Sequence, residues 1–334
     1  VWVALLSSVQ AGEYFVSLSG SDGNDGLAES NAWATIQYAV DNITPGDTIT
    51  VLAGTYVGCR ITISGTETEP ITLRAALDAT VILNAVSASA THGSIVDFDS
   101  GSVNGVGYWT IDGFEITGAA KSGIALFGYN GARHHHICIT NNDVHDNGLT
   151  GIFVAFSDDV VVESNIAADN GEHGVYISNS SNRPRILRNT LDGNSASGVH
   201  FNGDASMGGA GIITDAIVEE NVIHDNGMIG GSGINMDGVV GGRIVNNLLY
   251  NEIASGISLY HGDSSDSTQN IDIFNNTIVL GISIYSGRWA INIPDSNAVS
   301  NRIYNNVLYT YHFCRGAISV NTPIPEGFES DYNI

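Results

Sequence analysis

Seven segments of the chain repeat one pattern of apolar and polar positions: a branched aliphatic, two residues, Asn, one residue, a further apolar residue. The asparagines are Asn142, Asn165, Asn189, Asn221, Asn247, Asn276 and Asn306, spaced 23 to 32 residues apart. Ile139, Val162, Ile186, Val218, Ile244, Ile273 and Ile303 precede them by three residues. Val144, Ala167, Leu191, Ile223, Leu249, Ile278 and Leu308 follow by two. A second pattern interleaves with the first. Gly123-Ile124, Gly151-Ile152, Gly174-Val175, Gly198-Val199, Gly233-Ile234 and Gly256-Ile257 each begin a stretch with alternate apolar residues, and Ala290-Ile291 and Ala317-Ile318 continue the series. Alternation with period two predicts strands with one face inward, and no 3.6-residue stripe competes with it. Each repeat therefore carries at least two short strands joined by Gly-, Asn- and Asp-rich turns.

Self-similarity at this period is the mark of a solenoid. Stacked coils place equivalent residues about 4.8 Å apart, so inward positions form aliphatic stacks. An inward Asn at a bend can bond to its copies above and below and tolerates a left-handed backbone. The asparagine column thus predicts a structural ladder in an all-β, parallel β-helix. Phe114 takes the Asn place in an earlier repeat, Ile111 to Ile116.

Of 334 residues, 43% are hydrophobic and 40 are Gly, enough core and enough turns for one long solenoid. Eleven Lys and Arg against 35 Asp and Glu give a net charge of −24. That surface argues against nucleic acid and against unassisted binding of polyanions, and it favours solubility in a salty or extracellular setting. Cys59, Cys138 and Cys314 are odd in number and lack metal spacing, so no disulfide framework is expected. Cys138 reads as a small packed residue within a strand.

Residues 1–11 read as the end of a secretory signal, an apolar stretch closing on Val9-Gln10-Ala11. Residues 12–334 then form a single domain, expected to be monomeric, with no stretch long enough to span a membrane and with its C-terminal end truncated. The Gly- and Asp-rich run Ser19 to Gly26 lacks EF-hand spacing and reads as a turn. Ile36, Ala39, Val40 and Ile43 lie on one face of a helix over 34–43, stopped by Thr44-Pro45-Gly46. A helix placed there caps the open end of a solenoid.

Tyr14-Phe15-Val16-Ser17, Ser21 to Gly26, Ala34-Thr35-Ile36-Gln37, Pro45-Gly46-Asp47-Thr48 and Ala53-Gly54-Thr55-Tyr56 resemble the opening of secreted right-handed β-helix proteins of the pectate-lyase-like superfamily. That group includes family 9 pectate lyases and chondroitinase-B-like lyases. The resemblance implies a right-handed coil, secretion and a polysaccharide partner. It does not fix the chemistry, because one fold hosts several. The family 9 acidic cluster is missing, since Ser157-Asp158-Asp159 lacks the continuation that would complete it.

The outward positions of the Gly-Ile strands form a stripe of Phe153, Tyr176, His200, Asn235, Ser258, Asn292 and Ser319, with Ser178, Asn202, Asp237 and Tyr260 beside it. Aromatic faces with polar tips suit a sugar-binding groove. Long loops at 203–216 and 261–271 flank it and bring Asp204 and His261. The expected site has His200 and Tyr176 as base and acid, and Asp204 and Asp237 as calcium or substrate ligands. Phe153, Asn202, Asn235, Tyr260 and His261 would bind sugar. Lytic β-elimination on a uronate-containing glycan stands first. Hydrolysis by a carboxylate pair such as Asp204 and Asp237, and a non-catalytic glycan-binding or adhesive role, remain open. Lys121, the chain's one lysine, reads as a solvated turn residue. His134-His135-His136, and the matched contexts of His145 and His224, read as strand and turn features rather than metal sites.

Overall fold

A computed structural model describes residues 11–99, 101, 104–281, 287–311 and 316–334. The apolar opening, residues 1–10, and Cys314 lie outside the described residues.

The described chain winds as a right-handed parallel β-helix with three sheets. The first has 13 strands, from Glu13–Val16 to Glu329–Asp331. The second has 10, from Gly54–Val57 to Val307–Thr310, and the third has 10, from Cys59–Ile61 to Ile318–Val320. All strand pairs along the sheets are parallel and join consecutive coils, as in Ile124↔Ile152, Val144↔Ala167 and Ile139↔Val162. Inward aliphatics fill one continuous core; Ile139, Val144, Ile152, Val154, Val162, Ile177 and Ile186 are fully buried. The third strand of each coil is only a few residues long in the sequence, which is why periodicity reveals two.

The column Asn142, Asn165, Asn189, Asn221, Asn247, Asn276 and Asn306 is buried at the bend between the first and second sheets. Each Nδ2 donates to the Oδ1 of the next Asn at 2.9–3.1 Å, and each backbone N–H bonds the same oxygen. Asn333 continues the column above Asn306. The left-handed residue of each bend is not the ladder Asn but its predecessor: Asn141, Ser164, Arg188, Glu220, Asn246, Asn275 and Asn305 all have φ of 53–59°. One residue in that conformation turns the chain and points the next side chain inward.

A second column lies five residues further on, at the bend before the third sheet. Asn147, Asn170, Asn194 and Asn226 bond in the same way. It ends on Glu252, which accepts from Asn226 Nδ2 at 3.2 Å. Burial pushes the Glu252 carboxyl well above the usual range, so it is a neutral acid that stands in for an amide. Asp146, Asp169, Gly193, Asp225 and Asn251 supply the positive φ for this bend. His145 and His224 sit on the second sheet just before it, at one register position with Ala168, Asp192 and Tyr250.

The helix is shorter than the sequence suggests, Ile36–Asn42, with Thr35 Oγ1 accepting from the Tyr38 N–H at its start. It buries Ile36, Ala39 and Val40 against the first coil. Gln37 pairs with the backbone of Arg60 in both directions and so covers the edge of the third sheet. Asp22 ties the preceding loop to this helix through Ala34 N, Thr35 N and Thr35 Oγ1, the work of a turn. No helix among the described residues is long and apolar enough to cross a membrane.

Cys138 faces outward, half-buried, between the inward Ile137 and Ile139, and is not packed in the core. Cys59 is fully buried, and burial pushes its thiol up to about 12. The three consecutive histidines diverge: His134 is buried and accepts from Val106 N, while His136 is exposed with φ 51°.

Candidate active-site groove

Parallel register turns the outward stripe into a straight file on the third sheet: Arg60, Asp97, Ala125, Phe153, Tyr176, His200, Asn235, Ser258, Asn292, Ser319. A second file runs beside it through Phe127, Ala155, Ser178, Asn202, Asp237 and Tyr260. The expected residues therefore share one face, but they do not share one task.

Asp237 is 2% exposed, and its carboxylate accepts from Gly262 N, Asp263 N and Ser264 Oγ at 2.6–2.8 Å. It pins the 261–267 loop. Asp204 likewise accepts from Ser206 N, Ser206 Oγ and Asn179 Nδ2. A calcium ion would have to displace donors already aimed at these oxygens, so the pair does not fit a cation. Nor does the pair fit hydrolysis, for which both carboxylates must reach substrate. The loop expected at 203–216 ends at 212, where the strand Ile213–Glu219 begins, and it bonds the second loop through Ala205 N to Asp263 O and Ser265 N to Gly211 O. His261 bonds Ser264 O within its own loop.

His200 is buried and its Nδ1 is engaged. Burial lowers its pKa to about 4, and Asn235 Nδ2 lies 3.1 Å from Nδ1, occupying the lone pair with Nε2 left to carry the proton. His173, stacked on it at 4.5 Å, accepts from Ser197 N through Nδ1 and is lowered to about 3, again by burial. The middle of the groove is thus a neutral, aromatic surface. Asn235 also bonds the Tyr260 hydroxyl, and Asn202 bonds that of Tyr176 at 3.3 Å. Burial raises the Tyr176 phenol, which stays protonated at neutral pH.

The chemistry concentrates lower on the stripe. A cleft of about 220 Å³ is lined by His92, Lys121, Phe127, Phe153, Glu172 and Tyr176, among others. Its floor is apolar: Phe127 and Phe153 meet at 5.6 Å, and Phe153 and Tyr176 at 5.4 Å. Lys121, Leu149 and Glu172 stack as one wall, each bonded to the next through the backbone. The Lys121 stem runs close to Gly93, next to His92. Lys121 makes no ion pair among the described residues.

His92 is fixed by a buried carboxylate. Its Nδ1 lies 3.0 Å from Asp97 Oδ1, and Asp97 Oδ2 accepts from the backbone N–H groups of Thr91 and His92. The ring stacks on Phe127 at 4.1 Å. An Nδ1–H donated to Asp97 makes Nε2 the nitrogen with the lone pair. Asp99, two residues on, is held by Thr91 Oγ1, Gly101 N and Arg60. The sequence reading missed His92 and Asp97; Lys121 is the exposed turn residue it expects, and the fold sets it on the rim of the cleft that His92 lines. Counting the stripe back two more coils, from Phe153 through Ala125 to Asp97, is the signal that finds the dyad.

Among the described residues one group of three metal-type ligands converges, Asp192, His224 and Asp225 on the second sheet, and its members bond one another. It lies on a different sheet from the cleft.

Solved structures share this fold. An alginate lyase from Paenibacillus sp. str. FPU-7 superposes with a TM-score of 0.65 over 89% of this chain and 95% of its own, at 21% identity. A rhamnogalacturonan lyase gives 0.67 over 97% and 87%, at 14% identity. The GH136 lacto-N-biosidase from Eubacterium ramulus gives 0.59 over 96% and 67%, at 15% identity. In sequence, the chain is 30% identical to pectate lyase PEL9 of Emericella nidulans over 160 residues, 45% of this chain and 38% of that protein. The chain thus spans well under half the length of that curated relative. The family model for the Pel9A-like right-handed β-helix region matches residues 14–211, more than half of the sequence, and the chain belongs to that family.

Proposed function

We propose that the protein is a secreted polysaccharide lyase that cleaves a uronate-containing glycan by β-elimination in the cleft between Lys121 and Tyr176. The observation that carries this reading is the convergence of the chain's one lysine, a carboxylate-oriented histidine and a protonated tyrosine on one apolar floor. Lys121 neutralises the uronate carboxylate, which acidifies the proton α to it. His92 Nε2 takes that proton while Asp97 holds the ring. The electron pair left on the α carbon forms a double bond to the β carbon. The bond from the β carbon to the glycosidic oxygen breaks, and Tyr176 gives that oxygen its proton. Charge and protons balance, with His92 protonated and Tyr176 ionised until solvent resets them.

Phe127 and Phe153 present faces for the sugar rings. The net charge of −24 opposes a polyanion at long range, so binding must rest on local cations. Hydrolysis is less well supported, because Glu172 is the one carboxylate lining this cleft. Calcium plays no part in this scheme. The test is incubation with polygalacturonate, alginate and neutral glycans. Near-ultraviolet absorbance from the new double bond supports the reading. New reducing ends without that absorbance point to hydrolysis, and binding without cleavage to an adhesive role.

A further inference from the structure

A second cleft, of about 260 Å³, opens higher on the same file, lined by Asn235, Ser258, Tyr260, Arg288 and Asn292 among others. It lies outside the segment that matches the family model, which ends at residue 211. Arg288 stands three residues before the inward Ile291, as Lys121 stands three before Ile124. The two cations therefore occupy the same position on the coil. Register from Ile124 through Ile152, Val175, Val199, Ile234 and Ile257 to Ile291 counts six coil steps between them. At one strand spacing per coil that is about 29 Å.

From these positions we infer that Arg288 and Asn292 form a second carboxylate-binding subsite, which anchors the same polyuronate chain whose reacting unit sits at Lys121. Arg288 already has a partner within the fold, and a guanidinium carries five N–H donors, so it can meet a carboxylate as well. The half-buried Asn292 side chain makes no hydrogen bond among the described residues and so is open to a ligand. The path between the clefts is continuous: Tyr176 lines the lower one, Asn235 lines the upper one, and His200 touches both residues. His200 and His173 are neutral there, so the middle offers contact without charge. Glu172 stands on the lower wall between the two cations, which makes them separate anchors rather than a basic strip. The coil rise of about 4.8 Å is close to the length of one sugar in an extended chain, so the subsite serves long chains and not short ones.

This inference rests on the uronate reading of the lower cleft, and its test reads binding rather than cleavage. Oligogalacturonates and oligomannuronates of about three units, and of about eight, long enough to cross six coils, are titrated calorimetrically into the His92→Ala protein, in which cleavage is slowed by about 10²–10³-fold. Lengthening the chain is expected to raise affinity about tenfold. Arg288→Ala, added to that background, removes the gain; Arg288→Lys keeps much of it, and Asn292→Ala reduces it several-fold. A gain that survives Arg288→Ala overturns the subsite, as does a failure of the long chains of both polymers to bind. Chains that bind with the full length effect but are never cut by the wild-type protein overturn the lyase chemistry and leave the subsite standing.

Discussion

The outer faces of the first and third sheets are built from the same coils and carry opposite chemistry. On and beside the first sheet arginines pair with acids of their own or adjacent coils: Arg74 with Glu13, Arg133 with Asp158, Arg183 with Asp159, Arg188 with Glu163 and Glu220, Arg243 with Glu219, Arg302 with Asp272. That face cancels its own charge. The third sheet carries one such pair at its first coils, Arg60 with Asp99; the rest of its face has a lysine with no ion pair among the described residues, neutral histidines, aromatic rings and buried carboxylates already bonded to the backbone. A face that stays neutral and leaves a cation without its counter-ion is open to a ligand; a face of closed ion pairs is not.

The contrast predicts unequal consequences of removing one cation from each side. Lys121→Ala is expected to lower kcat for β-elimination by about 10²–10³-fold, followed by absorbance of the unsaturated product, with the melting curve unchanged. His92→Ala falls in the same range, and Asp97→Asn costs roughly tenfold in kcat with little change in KM, since Asp97 orients the ring without touching substrate. An active Lys121→Ala protein would break the comparison at its strongest point.

The buried amides come next. Asn194→Ala takes from Asn170 the acceptor of its Nδ2 and from Asn226 the donor to its Oδ1, and should cost about 2–4 kcal/mol in denaturant unfolding. Glu252 gives a pH dependence of known sign. Its folded pKa is raised above its unfolded value, so its contribution is fully present below about pH 4.5 and is lost as pH rises towards the folded pKa. Glu252→Gln should raise the melting temperature by a few degrees near pH 8 and leave it nearly unchanged near pH 4. Arg243→Ala, on the first sheet, is the smallest effect: no more than about 1 kcal/mol and no change in kcat. Treatment with a chelator should likewise leave the rate unchanged, because Asp204 and Asp237 are occupied by their loops.

The solenoid was legible because inward aliphatics recur with a fixed offset from Asn, and burial tolerates few alternatives there. The stripe from Phe153 to Asn292 was legible for the same reason, since alternation dictates which residues face out. What those residues bond to was not. Asp237 looked free because the loop donors that consume it arrive from 25 to 27 residues away. His200 looked basic because its burial depends on His173 and on the coil above. Lys121 is an exposed turn residue, as the sequence suggests; what the sequence hides is that the coils bring its stem over Gly93 beside His92. Even the second amide column, a plain offset of five, was hidden by the variety of residues before it and by a glutamate at its end.

That glutamate divides the solenoid lengthwise. Below it two rows of buried amides tie successive coils together; above it, at Gly281, the inner row has no side chain to contribute, while the outer row runs on through Asn306 to Asn333. The upper coils, which hold Arg288 and Asn292, are therefore clasped along one seam instead of two. Under load or heat they should part from the stack first, so a long glycan chain could be released from its far anchor while the reacting end stays gripped.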